Sequence, residues 1–544
     1  MTKSSMRTTT AQTIIRELEN HFVPSLRNCG KIGELKKIHA NIVKLSLSQS
    51  NFLVTKMLDV CDNCGDIDYA TLLFEQLVEP NAFSYNAIIR TYAHNHAYNL
   101  AITQFKQMLR AQNHILPDKF TFPFVIKSSA GLLSHPLGQQ IHAQLCKFGP
   151  ESHSITENAL IDMYTKCDDL TNAHKVFEQM TNQDVFSWNG LIYGHARLGQ
   201  MERARTLFDG MPCRTIVSWT TMITGYARNG CYADALDIFR KMQVAGIEPD
   251  EISLISVLPA CSQLGALEVG RWIHLYSDKN GFLQKTNISN ALIEMYSKCG
   301  CIDEARNLFD ELAHRDVISW STMIGALANH GKAHEAIELF QDMQKALVFP
   351  NKITFLGILT ACTHAGLLNE GLKYFDSMRE NYNIEPEIEH YGCLVDLLGR
   401  CGRLDKALDT ILKMPIEPDS RIWGSLLSSC RTHKNLEIAI IAMEHHLELE
   451  PDASGSYVML ANIYAELGKW EDVSSIRKAI RSKRIKKTPG CSLIEIDNLV
   501  QEFLSDDYSK PFAQEIYGVL ELLAWHQNRT SDLVEFLQED TGLA

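Results

Sequence analysis

The chain has 544 residues, 45% of them hydrophobic and 22% charged, and no stretch approaches the roughly 20 apolar residues of a membrane-spanning helix. With 65 Asp and Glu against 52 Lys and Arg the net charge is −13 and the isoelectric point about 5.9, which argues against non-specific binding to polyanions but leaves room for a basic surface on one side.

The first residues, MTKSSMRTTTAQTIIR, are rich in Ser and Thr, carry Lys3, Arg7 and Arg16, and have no acid before Glu17. Residues 1–18 therefore read as an organelle-transit or disordered segment, without the apolar core of a secretory signal. A degenerate helical segment follows at Glu19–Ser50, and from there one ruler governs the chain.

Trp188 and Trp219 stand 31 residues apart, and Trp219 and Trp320 stand 101 apart, two steps of 35 and one of 31. The phrases NALIDMYTKC from Asn158 and NALIEMYSKCG from Asn290 recur after 132 residues on the same ruler. Fixed-period self-similarity of this length marks stacked supersecondary units. In Ile216–Asp250, Met222, Ile223 and Tyr226 form one helical stripe, and Gly230 breaks it. Ala235, Ile238, Phe239 and Met242 form a second stripe, closed by Gly246 and Pro249. Each unit is thus an antiparallel helix pair that cannot bury both stripes alone. The expected fold is all-α, a right-handed α-solenoid of stacked helix-turn-helix repeats.

Phasing by the slot that follows the Trp or Tyr gives units Asn51–Asn81, Ala82–Asp118, Lys119–His153, Ser154–Asp184, Val185–Thr215, Ile216–Asp250, Glu251–Lys285, Thr286–Asp316, Val317–Asn351, Lys352–Glu387 and Ile388–Asp419. The array so defined occupies 19–419. Two further helix pairs occupy 420–487, and 488–544 is a non-repeat extension that opens on TPGCSLIEIDNLVQEFLSDDYSKP, whose apolar residues alternate. The 15 cysteines are phase-locked as well: Cys64, Cys167, Cys299 and Cys401 share one slot, Cys261 and Cys362 another. That pattern predicts small buried residues at helix contacts, free thiols and a reducing compartment.

These phrases resemble pentatricopeptide repeats, specifically the plant class that mixes P, L and S units. GRWIHLYSDKNGF and GQQIHAQLCKFG look like L units, MYTKC and MYSKCG like S units. Tetratricopeptide repeats hold a uniform period and a W-x-x-L-G-x-x-Y signature that is absent here. The segment 420–544 resembles the E and E-plus extension of plant organellar RNA-editing factors. The resemblance implies that one repeat reads one base, through the fifth slot and the last slot of each unit. The pairs are Thr55/Asn81, Asn86/Asp118, Asn158/Asp184, Asn189/Thr215, Thr220/Asp250, Asn290/Asp316 and Ser321/Asn351. The second slot, held by Phe52, Phe83, Phe186, Val217 and Ile318, would sandwich base faces. Helix capping alone would favour Asn and Asp at one slot. It does not explain two slots varying together while the L units carry Pro123, Ile255 and Leu356 at the fifth slot.

By the family's pattern, with the last S unit about four nucleotides 5′ of the edited base, the implied target is 5′-AUNUYGNUANNNNNC-3′, its final C edited. Gly392/Asp419 fits none of the usual combinations and leaves its base open. The cluster Arg477, Lys478, Arg481, Lys483, Arg484, Lys486 and Lys487 is a candidate for phosphate contacts, or else a solvated helix face.

Zinc deaminases require His-x-Glu followed by Pro-Cys-x-x-Cys. The one Cys-x-x-Cys, Cys61–Cys64, has no His-x-Glu before it, and the family's terminal deaminase-like domain is not in this sequence. The expectation is a non-enzymatic adaptor without metal or cofactor. It would bind single-stranded organellar RNA and recruit a deaminase-domain protein, with other editing-complex proteins, in trans. The acid-poor start leans to the mitochondrion, with the plastid as alternative. Transcript stabilisation or splicing, and a pure protein-interaction solenoid, are the competing functions.

Overall fold

The structure is a computed structural model that describes residues 16–111, 115–148, 154–451, 454–482, 490–496, 499–504, 507, 509 and 514–525. Residues 1–15 of the transit segment, and Lys483, Arg484, Lys486 and Lys487 of the basic cluster, lie outside the described residues. The chain forms two compact bodies divided between Ser253 and Leu254.

Both bodies are built from paired helices. In the first body the pairs include Asn51–Cys64 with Ile67–Glu75, Ala82–His94 with Tyr98–Arg110, Val185–Arg197 with Met201–Gly210, and Ile216–Arg228 with Tyr232–Val244. In the second they include Thr286–Lys298 with Ile302–Glu311, Val317–Asn329 with Ala333–Lys345, Lys352–Ala365 with Leu368–Glu380, and Ile388–Arg400 with Leu404–Lys413. Within each body the first helix of a pair packs on its own second helix and on the first helix of a neighbouring pair. No helix among the described residues is long and apolar enough to cross a membrane.

One local grammar recurs from pair to pair, although Lys285 gives the helix Thr286–Lys298 no side-chain cap. The last residue of the preceding unit caps the first helix: Asp184 accepts from the Ser187 N–H at 2.9 Å, Asp316 from that of Ser319 at 2.8 Å and Asn351 from that of Thr354 at 2.9 Å. The first helix ends where slot 15 turns left-handed, at φ +74° in Gly230 and +71° in Gly331. Glycine makes that conformation inexpensive, but the same slot is reached by His96, Leu133, Asp168 and Lys434. The turn geometry is therefore imposed by the stacking of the two helices as well as by residue type.

The fourth-slot aromatics that served as the ruler are staples between units. Trp188 meets Phe177 edge-to-face at 4.9 Å, Trp219 meets Phe208 at 4.9 Å and Trp320 meets Phe309 at 5.2 Å. Phe208, Phe239 and Phe309 are fully or almost fully buried. Each contributes on the order of 1.5–3 kcal/mol through burial, so the core is a chain of small neighbour-to-neighbour contacts.

All 15 cysteines are free thiols. Cys61, Cys261, Cys362 and Cys430 are buried, and burial pushes the Cys61, Cys362 and Cys430 thiols up to about 12. The other recurring set differs from the expectation of full burial. Cys64, Cys167, Cys299 and Cys401 are half-buried at the end of the first helix. There the Cys64 thiol donates to the Gly30 carbonyl at 3.6 Å and the Cys401 thiol to that of Gly366 at 3.7 Å. A helix end lies at the edge of the stack, so these thiols join units through weak hydrogen bonds.

After the last helix pair the period changes. Strands β1 (Cys491–Ile496) and β2 (Leu499–Leu504) form an antiparallel hairpin with Cys491 opposite Leu504 and Ile496 opposite Leu499. The alternation of apolar residues here has the two-residue period of a strand. The hairpin is the one non-helical element among the described residues, followed by a helix at 514–525.

Candidate nucleic-acid interface

The fifth-slot residues lie inside the first helix of each unit, where no capping role is available. The last-slot residues do cap, and four of the seven pairs are bridged. Asn86 Nδ2 donates to Asp118 Oδ1 at 3.0 Å. Asn158 Nδ2 donates to both oxygens of Asp184, at 3.2 and 2.9 Å. Asn290 Nδ2 donates to Asp316 Oδ1 at 3.3 Å, and Ser321 Oγ to Asn351 Oδ1 at 3.4 Å. One last-slot side chain thus holds the start of the following helix and the fifth-slot residue of its own unit. Asp316 shows the electrostatic consequence. Burial pushes its carboxyl upward, but the Ser319 N–H and hydroxyl, Asn290 and the Ile318 N–H together hold it below the usual range.

The remaining pairs are placed together without such a bridge. Thr55 turns its hydroxyl to the Asn51 carbonyl at 2.7 Å, while Asn81 caps the next helix through the Ser84 N–H at 3.0 Å. Asn189 Oδ1 and Thr220 Oγ1 are buried with no hydrogen-bond partner, as are Asn158 Oδ1 and Asn290 Oδ1. Buried polar atoms are rarely left unpaired in folded proteins. Four of the eight such side-chain atoms among the described residues stand at the fifth slot, the others being on Gln144, Trp188, Ser277 and Trp320.

The second slot is exposed in unit after unit. Phe83 is 70% exposed, Phe186 74%, Val217 54% and Ile318 52%, and Phe52 is also exposed. Phe120, Ile155, Ile252 and Ile353 stand at the same slot, equally exposed, and were not singled out in the sequence reading. The repeat phase was the signal that could have found them. An apolar residue kept out of the core at one slot of successive helices has no folding role, and it is the composition expected of a binding surface.

At Thr220 these features converge. A cavity of about 430 Å³ is lined by Thr220 and Asp250, by the second-slot residues Val217 and Ile252 of two consecutive units, and by Arg197 and Arg228. Its size lies within the about 300–1,000 Å³ of ligand clefts. The lining combines two apolar side chains with a threonine, an aspartate and two arginines, of which Arg197 is already bonded to the Thr165 and Lys166 carbonyls and paired with Asp168. A second cavity, of about 600 Å³ and wholly within the other body, falls on the same phase at Gly392 and Asp419, with Glu389 and Arg421 at the second slots.

Arg477, Lys478 and Arg481 are exposed on helix Trp470–Ser482. Among the described residues no group of three His, Cys, Asp or Glu side chains is placed to hold a metal ion.

Comparison with known proteins agrees with this organisation. Residues 158–185, 186–216, 288–317, 353–382 and 389–417 match the PPR repeat, and 214–263 and 315–364 match the PPR repeat family. Residues 433–495 match the E motif. A pentatricopeptide repeat-containing protein of Arabidopsis thaliana is 62% identical over 515 residues, covering 95% of this chain and 96% of that protein. Another from the same plant, with "chloroplastic" in its name, is 40% identical, covering 95% and 94%. Among solved structures, the pentatricopeptide repeat protein PPR10 from maize aligns with a TM-score of 0.48 and 15% identity, covering 85% of this chain and 78% of that one. On the strength of its sequence relatives and its matched repeats, the chain belongs to the pentatricopeptide repeat family and carries an E motif after the array.

Proposed function

We propose that this protein is a site-recognition factor for C-to-U editing. It binds one stretch of single-stranded organellar RNA through its repeats and recruits a deaminase in trans. The observation that carries RNA reading is the cavity at Thr220 and Asp250. Val217 and Ile252 are spaced by one repeat to cover the two faces of an unstacked base. Thr220 and Asp250 then meet its Watson–Crick edge, where a guanine presents the N–H donors that a carboxylate accepts. Arg228, exposed beside this cavity, suits a flanking phosphate. The other pairs extend the reading to 5′-AUNUYGNUANNNNNC-3′.

The editing role rests on the E motif and on the mixed 31- and 35-residue units of the array. The chemistry belongs to the recruited partner, and this chain acts as an adaptor without cofactor. The N-terminal composition favours the mitochondrion over the plastid. Arg477, Lys478 and Arg481, with the neighbouring Lys483, Arg484, Lys486 and Lys487, would contact phosphate downstream of the repeats.

Two experiments test these layers separately. Binding of the purified full chain to the target RNA and to single-base variants tests the reading; equal affinity for G and U at the Thr220 position would refute it. Sequencing organellar transcripts of a plant that lacks the protein tests editing. Loss of conversion at a C preceded by the target string is expected. If all C-to-U sites stay converted, the editing role fails while RNA binding survives as a stabilising or splicing function. A fluorescent fusion of the full chain decides between the two organelles.

A further inference from the structure

The third slot of each unit carries a buried residue with no role in the reading so far. Ser84, Thr121, Ser187, Ser218, Ser253, Ser319 and Thr354 have no exposed surface. Their backbone N–H groups meet the caps, but their hydroxyls behave in two ways. Thr121 Oγ1 donates to Asn86 Oδ1 at 2.6 Å, and Thr354 Oγ1 lies 2.7 Å from Ser321 Oγ. Each threonine therefore touches the fifth-slot residue of the unit before it. The serines do not. Ser187 Oγ donates to the Asp184 carbonyl at 2.7 Å, Ser253 Oγ to the Asp250 carbonyl at 2.8 Å and Ser319 Oγ to Asp316 Oδ1 at 2.8 Å. Ser218 Oγ accepts from the Thr215 N–H at 3.2 Å, and Ser84 Oγ donates to Asn51 Oδ1 at 2.7 Å. Behind four of these serines stand the orphaned acceptors Asn158, Asn189, Thr220 and Asn290.

We propose that the third-slot residue is a positioning residue for the base-reading side chain of the preceding unit, engaged when it is threonine and disengaged when it is serine. The proposal rests on the base-reading role given above. Its physical basis is the stiffness of a β-branched side chain, which has fewer χ1 choices than serine and keeps its hydroxyl on the reader. Asn86 is consequently held at both ends, its Nδ2 by Asp118 and its Oδ1 by Thr121. An amide held this way cannot flip, and it presents a donor in one direction. That distinction separates uracil, with an acceptor at O4, from cytosine, with a donor at N4. Asn158 and Asn290 are held by their Nδ2 alone and are freer to accept either pyrimidine.

The test measures binding of the full chain to RNAs that differ only by U or C, first at the base read by Asn86/Asp118 and then at that read by Asn158/Asp184. Thr121→Val keeps the side-chain shape and the capping N–H but removes the hydroxyl. It should lower the U-over-C ratio at the first position by about threefold to tenfold, the size of one net hydrogen bond, and leave the second position unmoved. Thr121→Ser should give a smaller loss. Ser187→Thr should raise the ratio at the second position only, which keeps the test decisive if Thr121→Val folds poorly. A purely structural role would lower the melting temperature and weaken both RNAs equally without moving either ratio. Unmoved ratios in Thr121→Val and Ser187→Thr, with a wild type that discriminates, overturn this proposal alone. A wild type that discriminates at neither position overturns the base-reading role and this proposal with it.

Discussion

The Thr220/Asp250 step in the first body and the Gly392/Asp419 step in the second share a backbone plan and differ in the side chains that line their cavities. In both, the last-slot aspartate caps the following helix, accepting from the Ser253 N–H at 2.8 Å and from the Ile422 N–H at 3.0 Å. In both, a glycine takes the left-handed turn, at φ +74° in Gly230 and +72° in Gly402. The fifth slot is a threonine in one and a glycine in the other. The second slots are Val217 and Ile252 in one, Glu389 and Arg421 in the other. Capping, turn and core therefore hold the helix pair whatever side chains line the cavity, and the proposed reading places recognition in those few lining slots. That separation is what allows one fold to be written into many targets.

The comparison can be broken most forcefully at Thr220. Exchanging Thr220→Asn recreates the Asn/Asp pair of the Asn158 and Asn290 steps and should turn a G preference into a U preference. The expected change in the G-to-U affinity ratio is about tenfold to a hundredfold, from the roughly 1–3 kcal/mol of one well-made base contact. Gel-shift titration of the two RNAs reads it directly.

The second contrast concerns the walls. Phe186→Ala should weaken binding by about 1–3 kcal/mol, whichever bases are present, because stacking is indifferent to base identity. Val217→Ala should cost less, and Glu389→Ala should leave affinity nearly unchanged. A Glu389→Ala loss as large as that of Phe186→Ala would show that the two steps bind RNA in the same way.

A smaller effect should appear on filling the empty slot. A Cβ at Gly392 would meet nothing nearer than Ile422 Cγ1 at 3.9 Å, so Gly392→Asn can place its Cβ there without a clash. It should confer a severalfold preference for U at a position where the wild type has none of that origin. Unchanged affinity for all four bases would mean that the aspartate and the open slot are insufficient without apolar walls.

The smallest expected effect concerns the shared frame. His142 bonds the Tyr164 hydroxyl and His274 that of Tyr296, both at 2.8 Å. Burial holds both imidazoles below their ordinary 6.5, against the opposing pull of Asp278 and Glu311 at His274, and pushes both tyrosines up to about 12. The unfolded chain then takes up protons first. Stability is full above about pH 6.5 and declines as pH falls below it. The melting temperature should drop between pH 6.5 and 5, and the double variant His142→Gln, His274→Gln should flatten that slope. The G-to-U ratio at Thr220 should not follow it.

Much of this was legible in the residues. The Trp188, Trp219 and Trp320 spacing gave the frame because a staple between stacked helices must recur once per unit. The helices begin at Ala82, Val185, Ile216, Val317 and Lys352, where the phase places the unit starts, and the slot pairs were added by the family resemblance. Two things were not legible. The exposure of Phe120, Ile155, Ile252 and Ile353 is masked because an apolar residue in a helix reads as core unless the repeat phase is carried through every unit. The half-burial of Cys64, Cys167, Cys299 and Cys401 depends on how far a helix end reaches beyond its neighbour.

Periodicity by itself determined the helix-pair unit and its boundaries, since both depend on spacing along one chain, while the family and the candidate slots came from the resemblance of the repeat phrases to pentatricopeptide repeats. Tertiary structure decided which side chains meet across units. It joins Asn158 to Asp184 and leaves Asn189 and Thr220 unbridged, and it sets Thr121 against Asn86 while Ser187 turns away. The reason is that a hydroxyl or amide in a buried junction chooses among partners a few tenths of an ångström apart. That choice is made by packing, which no repeat of letters records.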